Sequence, residues 1–177
     1  MGLSLEQRID RLEARAAIAE LCMDYCTACD DRDMALLESC FTEDVRLQSK
    51  DGLMDATGIG EVMAMFRRML EIRGPGYHWT HDRTIRFDDA DPDRATGLTL
   101  AHAETTPHGK ASIAGIRYYD DYRREGGRWK FSARTLAFLY YMPMADFVAH
   151  FPTPERMGIG GDWRRADFPE TLPTWPG

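Results

Sequence analysis

At 177 residues the chain suffices for one domain with a sizeable core and is short for two. Its net charge of −7 and the lack of any basic stripe in the sequence exclude nucleic-acid binding as the expected function. No apolar run approaches the roughly 20 residues that a bilayer span needs, and the first residues show no basic region followed by a hydrophobic stretch, so a cytoplasmic protein with no membrane partner is expected.

Ser4-Leu-Glu-Gln7 reads as a capping box. After it Ile9, Leu12, Ala16, Leu21 and Tyr25 recur at spacings compatible with one long amphipathic helix to about Cys29. Cys22, Cys26 and Cys29 share one face of that helix. With no second half of a ligand set downstream, they read as small buried hydrophobes; neither a metal nor a disulfide is expected. Asp33 caps a second, short helix to Phe41, and Val45–Gln48 reads as a short strand. Thr57–Ile72 is a third helix, stopped by Gly74-Pro75-Gly76. Its Met63, Met65 and Met69 are helix core or the lining of an adaptable apolar pocket, and Met65 is carried as a candidate substrate contact.

From Tyr77 the texture changes. Tyr77–Asp88, Ala95–Glu104, Ala111–Arg123 and Arg128–Tyr141 are β-branched or aromatic runs separated by turn signals, as in antiparallel hairpins. Helices first and a four-strand meander after is an α+β layout, with the helices packed on one face of a bent sheet. Residues 1–145 form this domain. Residues 146–177, which hold most of the prolines after Pro107, form an irregular tail laid over the body or a neighbouring subunit.

Asp30, ending the first helix, and His78, opening the first long strand, are the candidate dyad. A carboxylate brought to an imidazole fixes its tautomer and raises its basicity. Tyr25 adds a hydroxyl donor, giving a set that suits elimination or isomerisation without a cofactor. Strand alternation sends His78 and His81 to opposite faces, and groups His78 with Thr80, Asp82 and Thr84. Each residue also has a plainer reading: Asp30 as a helix terminator, His78 as a satisfied strand histidine and Tyr25 as core. His102 is a second candidate histidine in the next strand. Thr135–Tyr141 offers more apolar surface than one small sheet needs, which points to a homo-oligomer.

Ile9-Asp-Arg-Leu-Glu-Ala-Arg-Ala-Ala-Ile18, Tyr122-Arg-Arg-Glu-Gly-Gly-Arg-Trp-Lys-Phe-Ser132 and the placement of Asp30 and His78 resemble the SnoaL-like group of the nuclear transport factor 2-like superfamily, over about residues 5–145. The resemblance implies a cone-shaped α+β barrel, an Asp30–His78 catalytic dyad and a trimer or dimer. Where the family's dehydrochlorinases have a lysine on the helix and an arginine on a strand, this chain has Tyr25 and Tyr119, a difference that speaks against chloride loss. Tyr25 and His78-Trp-Thr-His81 are instead similar to its bile-acid dehydratases, and His102 to a histidine of its scytalone dehydratases. The implied function is a cofactor-independent lyase, a dehydratase acting on a hydrophobic cyclic, polyketide- or steroid-like substrate. His102, Tyr118, Tyr119 and Met65 would be substrate contacts. The alternatives are a double-bond isomerase with the same dyad, or a non-catalytic subunit like the small subunit of ring-hydroxylating dioxygenases.

Overall fold

Ser4 starts the first helix in the way a capping box requires: its hydroxyl accepts from the Gln7 N–H at 3.1 Å, and its own N–H donates to the Gln7 side chain at 2.9 Å. This helix, α1 (Leu5–Asp31), ends where Arg32 turns left-handed, with φ 59°. The computed structural model describes residues 2–175; Met1 and the last two residues of the expected tail, 176 and 177, lie outside it. The buried stripe of α1 runs through Ala14, Ile18, Leu21, Cys22, Tyr25 and Cys26. Ile9 and Leu12, expected in that stripe, are 47% and 67% exposed. Ion pairs hold the first turns instead: Asp10 to Arg124 at 2.7 Å and Arg11 to Asp89 at 2.9 Å.

Asp33 then caps α2 (Met34–Ser39) through the N–H groups of Ala35 and Leu36. Strand β1 (Phe41–Ser49) begins earlier than its sequence suggests, and β2 (Asp55–Thr57) hairpins back on it. Helix α3 (Ile59–Ile72) buries Val62, Met63, Met65 and Phe66. The long strands follow: β3 (Tyr77–Phe87), β4 (Arg94–Thr105), β5 (Ser112–Glu125) and β6 (Arg128–Pro143). They form one six-stranded sheet in the order β2-β1-β6-β5-β4-β3. All neighbours are antiparallel except β1 and β6, which run parallel.

Register shifts interrupt the ladder within β3, between β4-facing Thr80 and Arg83, and twice between β5 and β6. Such bulges sharpen the local twist and bend the sheet. The sheet thereby curls around α1 and α3, and the core lies between them.

Beyond β6 a short 3-10 turn (Met144–Asp146) and α4 (Phe147–His150) lead into an irregular segment. That segment lies along the β6 edge that β1 leaves uncovered. Tyr141 N–H donates to Arg156 O, Gly158 N–H to Tyr141 O, and Asp167 N–H to Phe138 O. The surplus apolar surface expected on Thr135–Tyr141 is therefore covered from within the chain: Leu136, Ala137, Phe138 and Tyr141 are all buried. Among the described residues no helix is long and apolar enough to cross a membrane.

Candidate functional site

The inward positions of the sheet build the site row by row. His78 of β3 stands opposite Ala103 of β4, which pairs with Ala114 of β5, which pairs with Tyr141 of β6. All four line one cavity of about 320 Å³, and the two alanines leave it room. Phe66, Met69 and Ile72 of α3 close it from the helix side; Met157 and Ile159 of the C-terminal segment close it from the other. Such an apolar concavity with a few convergent polar groups is the ordinary form of a small-molecule site.

Two of its polar groups, Asp30 and His78, are bonded to each other. One carboxylate oxygen of Asp30 lies 2.6 Å from His78 Nδ1, and the other accepts the His78 backbone N–H at 2.9 Å. Both oxygens are thus committed to one residue. Their side chains are only 11% and 13% exposed. An ionised carboxylate can only accept, so Nδ1 carries the proton, and in the neutral ring this leaves the lone pair that a base needs on Nε2. A bond to the backbone as well as the ring fixes the orientation of His78, an advantage for proton transfer.

Tyr25 and Tyr118 also line the cavity. Burial pushes both phenols well above their ordinary pKa, so they remain hydrogen-bond donors at any physiological pH. Behind them stands a residue that sequence reasoning missed. Arg134, 1% exposed, stacks on the rings of Tyr25 and Tyr118 at 4.2 Å and of Phe131 at 3.9 Å. Its guanidinium makes a fork to Asp120 at 2.8 and 3.0 Å, and Tyr122 donates to the same carboxylate at 2.9 Å. Burial works against the charge, but Asp120 outweighs it and holds the arginine firmly protonated. A permanent cation under two phenol rings polarises them as donors toward the cavity.

Other expected contacts fall elsewhere. The bulge after Thr80 turns Arg83 inward in place of Asp82, so Asp82 and Thr84 are exposed and cannot orient His78. Tyr119 points to the outer face, where Lys50 lies over its ring at 5.0 Å. His102 is also outside: it bonds His81 at 2.7 Å and stacks with Trp79. Met65 is buried in α3 but does not line the cavity, whereas Phe66 and Met69 do. The absence of a strand cation inferred from Tyr119 is likewise corrected, since Arg134 supplies one from β6. Period-two alternation in β5 was the available signal: Tyr118, Asp120 and Tyr122 share the inward face, and a carboxylate there demands a buried partner.

Burial raises the thiols of Cys26, Cys29 and Cys40 to a pKa of about 12. Ellman's reagent at pH 8 is therefore expected to modify them at least on the order of tenfold more slowly in the folded protein than in urea. Equal rates in the two states would mean that the thiols are open to solvent.

Residues 10–135 match the sequence model of the SnoaL-like domain family. The chain belongs to this family. The gamma-hexachlorocyclohexane dehydrochlorinase of Sphingobium indicum is 26% identical over 154 residues, covering 82% of this chain and 92% of that enzyme. Among solved structures, LinA superposes with a TM-score of 0.72 at 24% identity, over 78% of this chain and 95% of its own. A candidate scytalone dehydratase of Novosphingobium aromaticivorans superposes with a TM-score of 0.70 at 20% identity, over 77% and 91%. These likenesses fit the curled sheet and its helices to the cone-shaped α+β barrel.

Proposed function

We propose that this SnoaL-like protein is a cofactor-independent lyase that removes water from a hydrophobic cyclic substrate. The observation that carries the reading is the Asp30–His78 pair, doubly bonded and nearly closed off from solvent, opening on an apolar cavity. His78 Nε2 takes a proton from the carbon beside a substrate carbonyl. Asp30 stabilises the imidazolium that forms. Tyr25 and Tyr118 donate to the carbonyl oxygen as negative charge develops on it. The electron pair then forms the double bond, the C–O bond to the leaving hydroxyl breaks, and the imidazolium proton leaves with it as water.

Support from relatives is of the same kind: the curated relatives are dehydrochlorinases, which also expel a group next to a carbon that loses a proton. The test is a panel of cyclic β-hydroxy ketones followed by NMR, with chloride release from gamma-hexachlorocyclohexane as the comparison. Loss of water establishes a dehydratase. Migration of a double bond with no group lost makes the protein an isomerase, and no turnover across the panel favours a non-catalytic subunit.

Self-association as a trimer or dimer belongs to the same proposal. With the last strand covered, its support moves to the outer face of β3 and β4, where Tyr77, Trp79 and Leu100 are exposed side by side. Light scattering at working concentration is expected to give a multiple of the 20.2 kDa chain mass. A monomer would remove the oligomer from the account.

A further inference from the structure

The mouth of the cavity has a charge that the apolar interior does not explain. Arg32, at the end of α1 two residues past Asp30, is exposed and lines the cavity. Its Nη2 donates across the opening to the backbone carbonyl of Arg73 at 2.6 Å. Arg73, at the end of α3, is half-buried, lines the same opening and begins the Gly74-Pro75-Gly76 link to His78.

That link is held in place. Gly74 N–H donates to Thr106 O, His108 N–H to Ile72 O, and the Thr106 hydroxyl to Pro75 O at 2.6 Å. A Cβ at Gly74 would meet Thr106 Oγ1 at 2.7 Å, so a side chain there would displace the hydroxyl that donates to Pro75 O. The two arginines are thus carried on fixed backbone beside the dyad.

Among the described residues neither guanidinium takes part in an ion pair. The third arginine of the lining, Arg164, is tied to Asp51 at 3.3 Å, and Asp30 is committed to His78. The lining therefore carries three arginines against two aspartates, a surplus of positive charge in a chain whose net charge is −7. A planar fork beside one surplus charge matches a monoanionic carboxylate better than a dianionic phosphate.

We propose that Arg32 and Arg73 form an anion subsite that binds a carboxylate of the substrate and leaves its apolar ring directed into the cavity. The substrate class is then a cyclic carboxylic acid. This inference rests on the cavity being the substrate site, as the proposed function holds.

The test is calorimetric titration of the full chain, at pH 7.5 and low salt, with 2-naphthoate and with its neutral methyl ester. The acid is expected to bind about tenfold more tightly than the ester. Arg73→Gln and Arg32→Gln should each remove most of that advantage and leave the affinity for the ester as it was. Equal affinity for acid and ester in the wild type, or an advantage that survives both substitutions, overturns the subsite. Neither result touches the dyad, which is judged separately by turnover of the Asp30→Asn protein. Failure of both probes to bind overturns the subsite and the use of this cavity together.

Discussion

Asp30→Asn is expected to lower turnover by about 10²–10⁴ while leaving the thermal midpoint almost unchanged. The substitution is nearly isosteric, and the asparagine carbonyl can still accept the His78 backbone N–H that Asp30 accepts at 2.9 Å. What changes is the partner of the ring. The amide NH₂ would donate to Nδ1, now 2.6 Å from a carboxylate oxygen, and so select the tautomer protonated at Nε2. An imidazole with its proton on the cavity side cannot take another. Loss of the carboxylate also removes the charge that stabilises the imidazolium. Steady-state kinetics on the substrate found by the panel measure the fall, and nitrogen chemical shifts of His78 report the tautomer. Turnover equal to wild type would sink the dyad.

Arg134→Met is expected to cost about 3–5 kcal/mol of stability, since it strands the carboxylate of Asp120 in the core without its partner. Asp120 is 2% exposed and Arg134 1%, so water cannot take over either charge. The Tyr122 hydroxyl alone would remain on the carboxylate. For a chain of this size the loss corresponds to a fall in Tm of roughly 6–20 °C. Replacing both members, Arg134→Met with Asp120→Leu, should recover most of it, because the desolvation of both ions disappears with the pair. Urea unfolding of the two single variants and the double variant measures these terms as a cycle. A single-variant loss below about 1 kcal/mol would mean that the pair is solvated and that the cation behind Tyr25 and Tyr118 is not a fixed element of the site.

Much of this architecture was legible because it is local. The Ser4 capping box, the Asp33 cap and the stop at Gly74-Pro75-Gly76 are short-range devices, and each stands where its residues placed it. The long strands were equally plain from their β-branched and aromatic runs. Strands β1 and β2 were harder. Strand β1 leans on the distant β6 in parallel, and β2 is three residues long, so neither carries enough local pattern to declare its extent.

Side-chain direction was the less legible part. The bulge after Thr80 moved Arg83 into the place expected for Asp82, and two shifts along β6 put Phe131, Arg134, Leu136, Phe138 and Tyr141 on the inner face, a series without period-two spacing. Bulges answer to the curl of the whole sheet rather than to the residues at the bulge. That irregular series hides Arg134, whereas Tyr119 and His102 are expected inside only through the resemblance to relatives: β4 and β5 keep period-two alternation at these positions, which turns both residues outward.

The sequence by itself determined the layout of helices before strands, the capped ends of the helices and the choice of Asp30 and His78 as a pair. Only the tertiary structure decided that the pair meets, 48 residues apart in the chain, with both carboxylate oxygens on one histidine. It also decided which side chains wall the cavity and where the buried cation lies. Local hydrogen bonds and apolar spacing set the former, whereas the latter depend on strand register and sheet curvature, which arise only when distant segments pack together.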